Sequence, residues 1–366
     1  MRKGEYAKLV DYRKARLFTE AMKAVGERTI HFPEKRHVFI DEESVGSGVL
    51  PFEYRGPHNH HSWVTISEVL GDQPFIAEWM LQNTGKSYFN NIAFNLTQIA
   101  GIDVIPRRGL PVVFNDVVAT DSYDWGTDET RRNDFAKGIY EGCKSCGMAL
   151  IQGETAAEKY LIKRRQAVLS AAVTGLIAPN NRKITGKELK IGDHIIAIKS
   201  SGIQGNGSAL IIKRAMRLPE KFLTELLNGE TIGKESLTRS VCLIPLAEAL
   251  FEAEVDIPAF LPGTGGGPSK IASGKQSFTY RIHSWFDEIP SLFTFMRQLG
   301  VSLGDCLTTF NWGAAGYIFA SLNEVEQIID IGKKAGYQLL NIGKVEKGPR
   351  RVIFEPENIT LSPPGE

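Results

Sequence analysis

The stretch His194-Ile-Ile-Ala-Ile-Lys199-Ser-Ser-Gly202-Ile-Gln-Gly-Asn-Gly207 decides the fold class. Its first six residues are apolar and β-branched enough for a buried strand. The Ser200–Gly207 stretch then breaks the pattern, and a helix is expected from Asn206 to Arg217. A glycine-rich joint between strand and helix turns backbone N–H groups and a helix N-terminus toward any anion that arrives there. The same pattern also serves as a plain tight turn. A second glycine element, Gly263-Thr-Gly-Gly-Gly267, permits close backbone approach and an anion-binding nest, or again only a turn. A third, Thr84-Gly-Lys-Ser87, imitates the end of a Walker A loop, but Met80 stands where that loop needs glycine, so it is rejected.

Outward from these elements, strands alternate with helices. Strands are expected at 63–70, 111–118, 149–151, 167–177, 317–320 and 351–354, and helices at 5–26, 74–81, 90–99, 237–253, 291–299 and 324–335. The polar run Ala178-Pro-Asn-Asn-Arg-Lys183 interrupts the apolar pattern and sets the expected domain boundary, giving domains 1–177 and 178–366. The 366 residues are long enough for two such domains. The class is α+β.

Charge excludes some partners. Forty-three Lys and Arg against 42 Asp and Glu leave a formal charge of +1, without the cationic excess of a broad nucleic-acid footprint. No apolar run reaches the ~18 residues of a membrane span, and the charged N-terminus does not read as a secretory signal. A cytoplasmic protein is expected, with neither nucleic acid nor membrane as partner. Cys143 and Cys146 form C-x-x-C, yet Phe135, Ile139, Cys143, Cys146 and Leu150 recur at helical spacing, which favours a core face over a metal or redox pair.

Several side chains are candidates for chemistry. Glu154, after a short strand in Gln152-Gly-Glu-Thr155, and Asp103 and Asp116, before and within the strand at 111–118, sit where carboxylates hold Mg²⁺ beside nucleotide phosphates. Each singly also suits a cap or a solvated charge. His58, His60 and His61 make a dense cluster that reads either as a zinc site or as a chance run.

Taken together, these pieces resemble the aminoimidazole ribonucleotide synthetase family, also called phosphoribosylformylglycinamidine cyclo-ligase. Tyr6-Ala-Lys-Leu-Val-Asp11 is similar to its N-terminal tyrosine followed by Val-Asp. Gly138-Ile-Tyr-Glu-Gly-Cys143 with Gln152-Gly-Glu-Thr-Ala156 resembles its helix and GGETA segment. Ser200-Ser-Gly202 with Asn206-Gly207 resembles its SSGxxSNG loop, Thr264-Gly-Gly-Gly267 its TGGG turn, and Thr309-Phe-Asn-Trp-Gly313 its TFNxG strand entry. The likeness is good from 101 to 354 and weak before 101.

The resemblance implies a two-domain fold in which N-terminal domains pair into a dimeric β-barrel, followed by a C-terminal α/β domain. It implies a homodimer that uses ATP and Mg²⁺ to close the imidazole ring of formylglycinamidine ribonucleotide in purine biosynthesis. On this carry-over, Asp103, Glu154 and Asn206 are catalytic, and Glu68, Gly71, Asn95 and Asp116 bind the nucleotide. Ser201, Gly202, Gly207, Thr264, Gly265, Gly266, Gly267 and Asn311 hold the substrate phosphate, and Glu68 with Asp103 holds the metal. The chain departs from the family at the segment Thr-Asp-Gly-Val-Gly-Thr-Lys, where Ser67-Glu-Val-Leu-Gly-Asp-Gln73 stands instead. Glu68 replaces the aspartate, Gln73 the lysine, and Asn95 the aspartate of the next helix. Gln204 and Pro262 stand at the positions of two histidines, and Val168 at that of a further aspartate. These departures keep two alternatives open: another ATP-using enzyme of this fold, or a non-catalytic member.

Overall fold

The computed structural model describes residues 11–44 and 49–366. The motif residues Tyr6 to Val10, and with them the start of the helix expected over 5–26, lie outside the described residues. The chain divides into two compact units: one runs up to Val104 and includes Pro111–Asn180, and the other joins Ile105–Leu110 to Asn181–Glu366.

In the first unit, helix α1 (Tyr12–Thr29) starts where the Asp11 side chain accepts from the Arg13 N–H. It buries Phe18, Met22 and Val25. Phe18 packs against Trp125 and Phe135. A short antiparallel pair follows, β1 (Val38–Ile40) with β2 (Phe52–Tyr54). The main sheet holds β3 (Ser62–Val69), β4 (Leu110–Thr120), β5 (Ala149–Ala157) and β6 (Ala167–Ile177) in the order β3-β6-β4-β5. β3 and β6 run antiparallel, and β4 and β5 parallel. Helices α2 (Gln73–Thr84), α3 (Phe89–Ile102) and α4 (Glu129–Cys146) belong to the same unit.

Strand period places Val112, Phe114, Asp116 and Val118 of β4 on one buried face. The opposite face carries Trp63, Val69, Val117 and Val168, each between 40 and 58% exposed. Within one chain this sheet remains open. Cys143 and Cys146 on α4 form no disulfide among the described residues and are fully buried, in agreement with the core-face reading. Gly85, in the rejected Walker-like run, ends α2 in the left-handed region at φ 71°.

In the second unit, a seven-stranded mixed sheet is built on β7 (His194–Lys199). It also contains β8 (Ala259–Pro262), β9 (Phe278–Ile282), β10 (Ala314–Ala320), β11 (Leu339–Lys347), β12 (Arg351–Phe354) and β13 (Ile359–Leu361). Its order is β13-β12-β9-β11-β7-β10-β8, and every residue of β10 is buried. Helices α5 (Ser208–Ala215), α6 (Ile232–Ser236), α7 (Ile244–Glu252), α8 (Ser291–Gln298), α9 (Leu303–Thr309) and α10 (Leu322–Lys334) belong to it.

Two expected elements are corrected. The strand expected at 149–151 runs on to Ala157, so Glu154 lies within it and not after its end. The helix expected over 237–253 begins only at Ile244, because Pro245 fits a first helical turn but not an interior.

Candidate functional site

In the second unit the three glycine and asparagine motifs meet. β7 delivers Ser200, whose N–H donates to the Gly313 carbonyl at 2.8 Å. Asn311, 3% exposed, is the hub. Its Nδ2 donates to the Gly202 carbonyl at 2.6 Å, and its Oδ1 accepts from the Gly313 N–H at 2.9 Å and from Ser200 Oγ at 3.4 Å. Ser201 is exposed and its hydroxyl donates to the Arg239 carbonyl. Gly207 caps α5 in the left-handed region at φ 91°.

The 264–267 turn comes to the same place. A Cβ on Gly265 would stand 3.5 Å from Asn206 Oδ1. A Cβ on Gly207 would stand 2.6 Å from the Phe310 ring, and one on Gly267 2.5 Å from the Phe310 carbonyl. Phe310, fully buried, is therefore the floor on which both glycine elements rest. Asn206, Gly207, Thr264, Gly265 and Gly266 remain half-buried around that floor, open to a ligand, while Gly202 and Gly267 are buried beneath.

Sequence reasoning missed two features of this place. Lys270 donates from Nζ to the Thr264 carbonyl at 2.5 Å and to Thr264 Oγ1 at 2.9 Å, which sets a cation on the glycine turn. Its signal was available, three residues past Gly267. The second is a cavity of about 680 Å³ beside the Ser200 loop, lined by Lys199, Ser200, Ser201, Lys234, Glu235 and Glu288 among others. Lys199 pairs with Glu288 at 3.0 Å and Lys234 with Glu230, so the wall carries both signs. Gln204, where the family has histidine, is 1% exposed and latches the loop: its Oε1 accepts from the Val241 N–H at 2.6 Å.

In the first unit the expected nucleotide residues are distributed otherwise. Glu68 is half-buried near the end of β3, opposite Ala171, and Gly71 follows at φ 71°. Gln73 and Asn95 are both fully buried and bonded to each other, Asn95 Nδ2 donating to Gln73 Oε1 at 3.1 Å. A neutral amide pair thus joins the two positions that the resemblance sets against a lysine and an aspartate. Gln73 Nε2 is left buried without a partner.

Asp103 closes α3 at its C-terminus. The next residue, Val104, packs against Gly175, which is four residues from Ala171 on β6. That is about 13 Å along a strand from the Glu68 position. Among the described residues no group of three or more His, Cys, Asp and Glu side chains could hold a metal ion. In the histidine cluster, His61 packs at a tilt against Tyr54, with ring centroids 4.6 Å apart, and meets Trp63 edge-on.

Glu154 is exposed on β5, opposite Val117. Asp116 points inward. It is 3% exposed, its Oδ1 has no partner, and a Cβ on its neighbour Gly153 would fall 2.4 Å from that oxygen. Burial pushes its carboxyl up to about 7 from an ordinary 3.8. The Cys143 thiol is held well above its usual range, by burial first and then by the Asp116 charge.

A pH-dependent stability follows. The folded state keeps the Asp116 proton to about pH 7, whereas the unfolded chain loses it near 3.8. This residue's contribution to stability therefore falls as pH rises between those values and levels off above. Asp116→Asn removes the titration. Its stability relative to the parent is expected to improve by about 2–3 kcal/mol between pH 5 and pH 8, read from urea unfolding at the two pH values. An unchanged difference would mean that the carboxyl is ionised in the fold at both.

The chain matches no family model. It is 30% identical over 268 residues to the phosphoribosylformylglycinamidine cyclo-ligase of Clostridium acetobutylicum, covering 73% of this chain and 78% of that one. It is 28% identical over 316 residues to the enzyme of the same name from Lactobacillus acidophilus, covering 84 and 87%. Among solved structures, the E. coli hydrogenase maturation protein HypE aligns with a TM-score of 0.60 at 15% identity, over 96% of both chains. A HypE structure in complex with ATP aligns with 0.59 at 15% identity, over 87% of this chain and 89% of that one. The fold is therefore that of the aminoimidazole-ribonucleotide-synthetase-like proteins. Within that class, the chain belongs to the phosphoribosylformylglycinamidine cyclo-ligase family.

Proposed function

We propose that this protein uses ATP to close the imidazole ring of formylglycinamidine ribonucleotide, giving aminoimidazole ribonucleotide for purine biosynthesis. The observation that carries this reading is the meeting of Asn206–Gly207, Thr264–Gly267 and Asn311 on one Phe310 floor, in a chain 30% identical to a cyclo-ligase. In the reaction the formyl amide oxygen takes the terminal phosphoryl group of ATP and ADP leaves. The amidine nitrogen then bonds to the activated carbon, and the C–O bond breaks as phosphate departs. Such a transfer runs on positioning and charge neutralisation. Backbone N–H groups of 201–207 and 264–267, with Lys270 beside them, hold the substrate phosphate. Asn206, at the edge of the turn, orients the substrate, and Glu154 and Asp103 handle protons.

Glu68 and Gly71 meet the nucleotide, and Asn95 shapes their loop through Gln73. Asp116, neutral up to about pH 7, lies buried in the strand beneath. Magnesium takes one or two protein carboxylates together with phosphate oxygens and water. Glu68 beside Gly71 suits an ion carried in on the nucleotide, and neutralising phosphate charge is the chemistry that ion supplies. The bare face bearing Trp63, Val69, Val117 and Val168 pairs with the same face of a second copy, closing the shared barrel of a homodimer. No helix among the described residues is long and apolar enough to cross a membrane, and we place the reaction in the cytoplasm.

The buried Gln73–Asn95 pair favours a second reading, an ATP-using relative that acts on another amide or acid. Incubation with formylglycinamidine ribonucleotide, ATP and Mg²⁺, following ADP and aminoimidazole product together, separates the two. Equal yields of both products are expected. ADP without imidazole would favour the second reading, and absence of ATP binding would remove both.

A further inference from the structure

With Gln73 neutral and buried, the nucleotide's phosphates need cations from elsewhere in the first unit. The turn from β5 to β6, Glu158-Lys-Tyr-Leu-Ile-Lys-Arg-Arg-Gln166, carries Lys159, Lys163, Arg164 and Arg165 against the single carboxylate Glu158. All four cations are exposed, and among the described residues none of them has an ion pair. Tyr160 and Leu161 at its tip are 88 and 81% exposed.

The turn is a built element. The Glu158 N–H donates to the Thr120 carbonyl at 2.6 Å, the Ile162 N–H to Glu158 at 2.9 Å, and the Gln166 N–H to Lys163 at 2.9 Å. The Arg165 N–H donates to Asp121 Oδ1 at 3.1 Å, and Arg165 is held in the left-handed region at φ 63°. Asp121 is thereby engaged by backbone.

Topology sets this turn beside the nucleotide loop. β4 and β5 run parallel and end together at Thr120 and Ala157. β6 leaves the turn at Ala167, and the Leu169 carbonyl accepts from the Leu70 N–H at 2.9 Å. Gly71 to Gln73 thus begin within a few residues of the basic turn, at the carboxyl ends of β3, β4 and β5. Ligands of strand-and-helix folds collect at such an end.

We propose that the basic turn 158–166 is a polyphosphate clamp: Lys159, Lys163 and Arg164 bind the β- and γ-phosphates of the nucleotide, replacing the buried lysine that the family pattern would supply. This rests on the ATP-dependent reading above. Charge-assisted contacts to phosphate are the strong ones, and at an exposed turn they weaken with salt.

The test is calorimetric titration of the full chain with a non-hydrolysable ATP analogue and Mg²⁺, and separately with adenosine. The variants are Lys159→Ser/Lys163→Ser/Arg164→Ser together and, as a control, Lys187→Ser on the other unit. The triple variant is expected to bind the analogue at least tenfold more weakly with a shallower salt dependence, and adenosine within twofold of the parent. The control is expected to match the parent. If the parent binds the analogue and the triple variant binds it equally well, the clamp is overturned while the ATP reading stands. A parent that binds no analogue removes both. A triple variant that loses only adsorption to anionic vesicles or to RNA, with nucleotide affinity intact, assigns the turn to another ligand and overturns the clamp.

Discussion

Arg131→Ala is expected to lower the stability of the first unit by about 3–5 kcal/mol, the cost of leaving a buried carboxylate without its partner. Arg131 and Glu78 are 7 and 2% exposed. The guanidinium donates to both Glu78 oxygens, at 3.0 and 2.8 Å, and to the Trp125 carbonyl at 2.7 Å. It also stands over the Phe89 and Trp125 rings, about 5 Å from each centroid. Alanine removes the charge pair, a carbonyl partner and the packed plane together. Urea unfolding followed by tryptophan fluorescence measures the loss, and added salt should change it little, because the pair is shielded from solvent. The double variant Arg131→Met/Glu78→Leu should recover most of it, since apolar residues of similar size often replace a buried pair at no cost. A single-variant cost under about 1 kcal/mol would mean that water reaches Glu78. The functional consequence lies on α2. Glu78 holds the helix whose first residue is Gln73, so, if the proposed nucleotide site is right, the same variant should also weaken nucleotide binding.

What could be read from sequence divides along a physical line. β6 at 167–177, β7 at 194–199 and β12 at 351–354 agree with their expected spans, because β-branched and apolar residues there are bounded by clear breakers. β9 and β11 were not expected. Phe278–Ile282 and Leu339–Lys347 mix charged and apolar residues, and their pairing with each other is a long-range choice that no local pattern carries. The glycine motifs were legible because close approach permits only glycine there. Phe310 was not, since a buried phenylalanine looks like any other until two loops are found resting on it. Gln73 and Asn95 read singly as two losses, and their hydrogen bond joins them as one neutral pair.

Gly267→Ala is the substitution expected to damage the 264–267 glycine turn most. Gly267 adopts φ 52°, and a Cβ there would stand 2.3 Å from the Leu307 carbonyl oxygen and 2.5 Å from that of Phe310. Both obstacles are backbone, at and just beyond the end of α9, so relief requires the last turn of that helix to shift. Left-handed strain costs about 1–3 kcal/mol, and forcing a methyl into a packed site costs about as much again. A loss of about 3 kcal/mol is therefore expected and, if the proposed function holds, a sharp rise in the KM for the ribonucleotide. Gly266→Ala gives the internal comparison. Its φ is 77°, but the nearest atoms to its Cβ are Pro364 Cγ at 3.4 Å and Lys270 Cβ at 3.5 Å. It bears the backbone strain alone, about 1 kcal/mol. The two alanine variants differ by a few ångströms of position and by nothing in composition. Equal effects on melting temperature and KM would show that the turn tolerates movement and that its fixed shape is not what holds the phosphate. A much larger effect at 267 than at 266 ties recognition to the seat that Leu307 and Phe310 provide. Thermal unfolding separates the two contributions, because a KM change at 266 without a comparable loss of stability would have to act on the ligand directly.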